Sequence, residues 1–199
     1  MAKDKHIYDL LVVGGSNGGM EAFIKILEGL DDGFQLPIAF VLHQQRGSKS
    51  LLPAILGGHT QIRVSEPVDK EIIQPGNIYI APPDYHLLIE PDKTFSYSYS
   101  EPLNYSRPSI DILFETAAEA FGNKVAGLLL TGANSDGSAG LKSITNKGGL
   151  AIVQDPETAR SPEMPLSAIS LGINQNILDL HAISQFLNIL NIDFKSGDF

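Results

Sequence analysis

The stretch Tyr8-Asp9-Leu10-Leu11-Val12-Val13-Gly14-Gly15-Ser16-Asn17-Gly18-Gly19-Met20-Glu21-Ala22 decides the fold of this chain. Residues 10–13 form a short apolar run that ends in glycines, which predicts a buried strand followed by a tight turn. Apolar residues then recur at helical spacing over residues 20–30, so a helix follows the turn. The stretch therefore predicts a strand–turn–helix unit with Ser16 at the tip of the turn.

The turn around Ser16 fits three different uses. Its Gly-x-Ser-x-Gly spacing matches the nucleophile elbow of serine hydrolases. The free backbone N–H groups at a helix start also suit a phosphate or anion cradle. Alternatively, Ser16 is a helix N-cap in a plain tight turn. The dinucleotide fingerprint G-x-G-x-x-G is not met, because Ser16 stands at its second glycine. The stretch alone leaves all three uses open.

Composition restricts the class of protein and its partners. With 199 residues, 43% of them hydrophobic, the chain is long enough for one α/β domain with a sizeable core. A net charge of −9 disfavours nucleic acid and anionic membranes as partners. The lack of cysteine excludes disulfides and thiolate metal sites. No stretch suits a signal peptide or a membrane span. We therefore expect a cytoplasmic protein with no metal, no cofactor and no membrane insertion.

Predicted strands and helices alternate along the chain. Further strands are predicted at residues 37–42, 62–64, 77–81, 125–130 and 150–153. Further helices are predicted at 49–57, 110–121, 166–171 and 181–190, and one more leads from the glycine-rich loop 131–140 to about residue 146. Residues 86–99 alternate as an antiparallel hairpin, and 156–165 form a loop or lid candidate with Arg160 and Met164. This order predicts one doubly wound α/β domain over residues 1–199, with a mostly parallel sheet and helices on both faces.

Three loops of this predicted sheet each offer one chemically useful residue: Ser16, His43 and Asp136. Each loop follows an apolar strand, and sites in such sheets lie beyond the carboxyl ends of the strands. Every one of the three has a plainer use, as an N-cap for Ser16 or Asp136 and as an ordinary loop residue for His43. Together, however, they make a chemically complete nucleophile, base and orienting acid.

Six short blocks stand in order along the chain: residues 14–19 (GGSNGG), 41–45 (VLHQQ), 80–86 (IAPPDYH), 107–111 (RPSID), 130–140 (LTGANSDGSAG) and 164–165 (MP). They resemble the motifs G-A-S-T-G-G, V-Q-H-M-P, I-A-P-G-x-x-H, R-P-S-V-D, L-T-G-M-G-x-D-G-x-x-G and M-P of the bacterial chemotaxis protein-glutamate methylesterases, the CheB family. The chain is thus similar to the catalytic domain of that family over nearly its whole length.

This resemblance implies Ser16 as nucleophile, His43 as general base and Asp136 as the acid that orients the base. It implies hydrolysis of γ-glutamyl methyl esters on the cytoplasmic helices of methyl-accepting chemoreceptors, with glutamine deamidation as a related activity. The backbone N–H groups of Asn17 and Ala133 are our candidates for the oxyanion hole.

Departures from the family motifs leave a second function open. Asn17 replaces Thr or Ala, residues 44–45 are Gln-Gln instead of Met-Pro, and residues 133–134 are Ala-Asn instead of Met-Gly. A catalytically weak or inactive relative that binds a receptor or signalling protein is therefore the alternative. A nucleotide-binding domain is a third interpretation that rests on the glycine turn alone.

Three expectations remain from the motifs. Arg107 could position a receptor carboxylate, although a surface residue before a helix explains it equally well. His86 lies in a family-like block, and we expect it to make a structural hydrogen bond. Because the first core strand begins within the first ten residues, we expect no N-terminal receiver domain and no phosphorylation switch in cis. A separate receiver protein acting in trans is a candidate partner.

Overall fold

The computed structural model describes residues 8–44, 50–103 and 106–195. The strands are β1 (Leu10–Gly15), β2 (Ile38–Leu42), β3 (Arg63–Ser65), β4 (Asn77–Ile80), β5 (His86–Ile89), β6 (Phe95–Ser98), β7 (Val125–Leu129), β8 (Leu150–Gln154) and β9 (Ile177–Leu178). The helices are α1 (Gly19–Glu28), α2 (Leu52–Gly57), α3 (Ile110–Phe121), α4 (Ser138–Asn146), α5 (Glu163–Ser170) and α6 (Leu180–Lys195).

Seven of these strands form one sheet in the order β3-β4-β2-β1-β7-β8-β9, and all of its paired strands are parallel. β5 and β6 form a separate antiparallel pair. The chain winds from β1 towards β2 on one side and later from β7 outward on the other, so the switch point lies at β1 and β7. The predicted doubly wound sheet and hairpin are confirmed.

Each face of the sheet is covered by its own apolar core. In β1, Leu10 and Val12 face the core made with α3, α4 and α5, whereas Leu11 and Val13 face the core made with α1, α2 and α6. This is the alternation that a strand imposes on successive side chains. Because both faces are buried, β1 is apolar throughout, which explains why its sequence shows no alternation of apolar and polar residues.

Gly14 allows α3 to approach the end of β1. A Cβ on Gly14 would lie 2.2 Å from Ile110 Cγ2, which is far closer than non-bonded carbon atoms approach each other. Ile110 is the first residue of α3. The glycine therefore brings the N-terminus of α3 against the strand that carries Ser16.

Several predicted boundaries differ from the observed ones. Residues 163–165 were expected in a loop but form the first turn of α5, and α6 continues to Lys195 instead of ending near residue 190. β9 was not predicted. The predicted start of the second helix at residue 49 lies outside the described residues, and α2 begins at Leu52. None of the described helices is long and apolar enough to cross a bilayer.

Candidate active site

Two of the three predicted site residues form a direct hydrogen bond. His43 follows β2, and its Nε2 lies 2.8 Å from Oδ2 of Asp136, which lies in the loop between β7 and α4. The Asp136 side chain is fully buried, while that of His43 is 12% exposed. The carboxyl ends of β2 and β7 thus bring together residues that are 93 positions apart.

Asp136 also caps a helix, but not the helix that follows it. The N-cap of α4 is Gly137, in the left-handed region at φ 92°, so the N-cap role expected for Asp136 at the next helix is wrong. Its carboxylate instead accepts the backbone N–H groups of Ile110 (2.8 Å) and Asp111 (3.1 Å) at the start of α3, and the hydroxyl of Ser109 (2.9 Å). Four donors, including His43, therefore converge on this carboxylate.

These donors keep Asp136 ionised. Burial alone would raise the pKa of Asp136, but the bonds from His43 and from the N–H groups of Ile110 and Asp111 outweigh it and hold the pKa below its usual range. The positive end of the α3 dipole acts in the same direction. A carboxylate at this place accepts the Nε2 proton of His43, so in the neutral imidazole the other ring nitrogen, Nδ1, is the one that can accept a proton.

Asp111 returns the capping interaction. Its Oδ1 accepts the N–H groups of Gly137 (2.9 Å) and Gly140 (2.7 Å) at the start of α4. Asp136 and Asp111 thus cap each other's helices. Burial raises the pKa of Asp111 to about 6; the two N–H groups oppose this shift, and the charge of Asp136 adds to it.

Ser16 follows β1 and is half-buried. Its N–H donates to the carbonyl oxygen of Thr131 at 3.0 Å. The N-cap of α1 is Gly18, with no side-chain cap, so the N-cap interpretation of Ser16 is wrong. Across the described ranges its hydroxyl makes no hydrogen bond. A Cβ on Gly132 would lie 3.0 Å from Ser16 Cβ and 2.5 Å from Met164 Cε, so these three residues are close neighbours.

The strand register places Ser16 beside His43. Gly15 pairs with Leu42, and the His43 N–H donates to the Gly15 carbonyl oxygen at 3.2 Å. Nδ1 of His43 lies 3.3 Å from Ser106 Oγ, a contact that the sequence did not predict. Among the described residues the Ser16 hydroxyl makes no hydrogen bond to His43, so the hydroxyl that the structure places beside Nδ1 is that of Ser106.

The oxyanion candidates have unused N–H groups. Neither Asn17 N–H nor Ala133 N–H donates to another group in the described part of the chain. The Asn17 side chain turns away from this role and donates from Nδ2 to Ser161 Oγ at 2.7 Å. Thr131 Oγ1 donates to the Asn17 carbonyl oxygen at 2.9 Å. Asn17, in the turn after β1, is therefore hydrogen-bonded to Ser161, in the segment before α5, although the two residues are 144 positions apart.

Arg107 is partly occupied by protein contacts. Its Nη1 donates to the carbonyl oxygens of Ser100 (2.9 Å) and Tyr99 (3.3 Å), and its guanidinium lies 4.0 Å from the centre of the Tyr99 ring. Its Nε is buried without an acceptor in the described part of the chain. Arg107 directly follows Ser106, whose hydroxyl contacts His43, so its guanidinium is attached close to the site.

The structural hydrogen bond expected for His86 is confirmed, and there are two. Its buried imidazole accepts the Ser109 N–H at Nδ1 (3.1 Å) and contacts the Glu101 carbonyl oxygen through Nε2 (3.2 Å). Burial lowers the pKa of His86, which favours the neutral ring. Among the described residues, no group of three or more acidic or histidine side chains is placed to hold a metal ion.

The comparison with known families decides the relationship. The family described as CheB methylesterase matches residues 11–187. The chain belongs to the CheB methylesterase family. Its fold is also that of the Thermotoga maritima CheB methylesterase catalytic domain, with a TM-score of 0.87 and 32% identity over 92% of this chain and 98% of that one.

Curated members of the CheB family are similar over most of this chain. A putative protein-glutamate methylesterase/protein-glutamine glutaminase of Leptospira interrogans is 48% identical, covering 89% of this chain and 92% of that protein. The protein-glutamate methylesterase FrzG of Myxococcus xanthus is 34% identical over 94% of this chain but only 56% of its own length. The chain therefore spans nearly all of one relative and about half of the other.

Sequence reasoning missed three residues of this CheB-type site. Ser106 and Ser109 contact His43 and Asp136, and Asp111 caps the helix next to Asp136. The signal for two of them was present in the block RPSID, where Ser and Asp flank the start of a helix. Their partners lie about 26 or more residues away, so the sequence did not indicate what they would bind.

Proposed function

We propose that this chain is a serine hydrolase that removes methyl groups from γ-glutamyl methyl esters of chemoreceptors and deamidates receptor glutamines. The hydrogen bond of 2.8 Å between His43 Nε2 and buried Asp136 carries the proposal, because in the neutral ring it makes Nδ1, the nitrogen beside Ser106 Oγ, the one that accepts a proton. Family membership and the activities for which the relatives are named support the substrate class. Since the methylated receptor helices are cytoplasmic, the activity belongs in the cytoplasm.

The reaction begins with attack of Ser16 Oγ on the ester carbonyl carbon. His43 Nδ1 takes the serine proton, and Asp136 holds the ring and stabilises the imidazolium. Charge that develops on the carbonyl oxygen is bound by the N–H groups of Asn17 and Ala133. Collapse of the tetrahedral intermediate expels methanol, which takes the proton from His43, and leaves an acyl-enzyme on Ser16.

Water completes the cycle. His43 Nδ1 removes a proton from the water that attacks the acyl carbonyl carbon, and the second intermediate releases glutamate and regenerates the Ser16 hydroxyl. A glutamine side chain follows the same course, with ammonia as the leaving group. Arg107 contributes to binding, because its partly exposed guanidinium carries a positive charge that suits a carboxylate of an acidic receptor helix. A separate receiver protein is the candidate regulator in trans.

The test is methanol release from purified methylated receptor. We expect release by the wild type and by Ser170→Ala, a serine exposed at the end of α5, and no release by Ser16→Ala. Equal release by the wild type and Ser16→Ala contradicts the proposal. A fluorophosphonate probe that fails to label Ser16, together with no methanol release, would favour the alternative of a binding module.

A further inference from the structure

His86 is a fully buried histidine that the proposed reaction does not use. It begins β5, the first strand of the hairpin, and reaches two other parts of the chain. Its Nδ1 accepts the N–H of Ser109, the N-cap residue of α3, and its Nε2 donates to the carbonyl oxygen of Glu101. The tautomer is fixed by these partners, because a backbone N–H only donates and a carbonyl oxygen only accepts.

Ser109 links this histidine to the site. The Ser109 side chain does not cap its own helix; its hydroxyl donates to Asp136 Oδ1 at 2.9 Å. The other oxygen of Asp136 accepts His43 Nε2. Two imidazoles are therefore joined through one serine and one carboxylate, and in every link the donor and acceptor atoms lie within 3.1 Å of each other.

We infer that His86 is a positioning residue for the base: by holding the Ser109 N–H, it fixes the serine hydroxyl and the start of α3 against Asp136, and through them the orientation of His43. This inference rests on the proposed function of the site. The neutral ring that burial favours is required, since a protonated Nδ1 could not accept the Ser109 N–H.

Two conservative variants separate positioning from a merely structural role. In Asn, Oδ1 is bonded to Cγ as Nδ1 is in histidine, so His86→Asn keeps an acceptor for Ser109 N–H. In Gln, the amide nitrogen lies as far along the side chain as Nε2, so His86→Gln keeps the donor to Glu101 and loses that acceptor. His59→Gln, at an exposed histidine paired with Glu28, is the matched control.

We expect His86→Gln to lower kcat about ten- to hundredfold with KM nearly unchanged, because a small misplacement of the base slows the chemical step. We expect His86→Asn to stay within about threefold of the wild type, since it keeps the acceptor that orients α3. Equal kcat values for the Asn and Gln variants, at matched urea stability, would overturn the inference.

A double-mutant cycle covers the case in which His86→Asn does not fold. Ser109→Ala keeps the N–H that His86 holds but removes the hydroxyl bonded to Asp136. If His86 acts through Ser109, the combined loss in kcat of His86→Gln and Ser109→Ala is smaller than the product of the separate losses. Losses that simply multiply would show that His86 acts independently of this path, against the inference.

The rate of Ser16 labelling by a fluorophosphonate is measured in parallel, because it reports activation of the serine without any receptor. If labelling is rapid but no methanol is released, the proposed substrate is wrong, and the labelling rates of the same variants still decide the role of His86. If Ser16 is never labelled, no activated serine exists, and the inference fails together with the proposed function.

Discussion

Replacing Asp136 by asparagine tests the proposed orienting acid directly. The substitution keeps the shape of the side chain but removes its charge. It also puts an NH₂ group, a hydrogen-bond donor, in the place of one oxygen that accepted two hydrogen bonds. In the wild type, Oδ1 accepts Ser109 Oγ and Asp111 N, while Oδ2 accepts Ile110 N and His43 Nε2. Whichever way the amide turns, its NH₂ therefore faces one backbone N–H of α3.

The loss of stability follows from that conflict. A buried backbone N–H left without an acceptor costs about 1–3 kcal/mol. Loss of a negative charge at the helix N-terminus adds about 0.3–1 kcal/mol. We therefore expect Asp136→Asn to lower the free energy of unfolding by about 1–4 kcal/mol.

The loss of activity has a separate cause. An NH₂ group that faces His43 forces the ring to accept at Nε2 and to carry its proton on Nδ1, which then cannot accept the Ser16 proton. In serine-protease triads the same change lowers kcat about 10⁴-fold. If the amide instead turns its oxygen towards His43, the ring keeps its proton on Nε2 and part of the activity remains. We therefore expect kcat to fall about 10³- to 10⁴-fold, which raises the activation barrier by about 4–5.5 kcal/mol.

Methanol release gives kcat, and urea unfolding followed by circular dichroism gives the stability, so the rate is corrected for any unfolded fraction. Asp179→Asn is the matched control, because within the described residues that exposed carboxylate accepts only the Ala182 N–H at the start of α6, and an amide oxygen can replace it. A folded Asp136→Asn variant that keeps kcat within about tenfold of the wild type would refute the assignment of Asp136.

Three further changes test other parts of the site. Gly132→Ala would bring a methyl group within 2.5 Å of Met164 Cε and 3.0 Å of Ser16 Cβ. We therefore expect the free energy of unfolding to fall by about 1–3 kcal/mol and the labelling of Ser16 to slow, and unchanged urea unfolding would contradict this. The pKa of Asp111 is raised from 3.8 to about 6, so the folded state favours the protonated carboxyl. The stabilisation of the folded state by this proton is complete below pH 3.8 and is lost as the pH rises through about 6. From pH 8 to pH 5 the wild type should therefore gain about 1 kcal/mol relative to Asp111→Asn, and parallel stability curves would count against it. Arg107→Met should raise KM about ten- to hundredfold with kcat little changed, since it removes a charged donor worth about 1.5–3 kcal/mol in binding; an unaltered KM argues against a role in substrate binding.

The sequence predicted the layers of the fold because the strands and most helices carry their own signals. Runs such as Val125–Leu129 are apolar throughout, and the predicted sites follow from the rule that parallel strands end at one edge. The prediction is wrong at the start of α5. The predicted loop 156–165 ends at Pro165, yet this proline lies in the first turn of the helix, where no intrahelical N–H is needed.

Other features could not be predicted because they depend on distant partners. The end of α6 includes Asn191, whose buried side chain accepts the N–H groups of Gln35 and Leu36, and nothing in the local pattern indicates that pairing. The same is true of the site. The sequence predicted that Ser16, His43 and Asp136 meet, and the structure joins the last two by a hydrogen bond. Which ring nitrogen of His43 meets Asp136 depends on how α3 and the loop after β7 pack together.

The packing of α3 and α4 also explains why the departures from the family motifs leave the acid in place. Asp136 is held by helix N-terminal N–H groups and by Ser109, and none of these donors comes from a departing position. Asn17 binds Ser161 instead, and Ala133 is exposed. Because the Asp136 side chain is fully buried and these donors all belong to the protein, a substrate that covers the site leaves the charge of Asp136 and its bond to His43 unchanged. The departures therefore act on how the substrate approaches Ser16, and their effect should appear in oxyanion binding and KM before it appears in the function of the base.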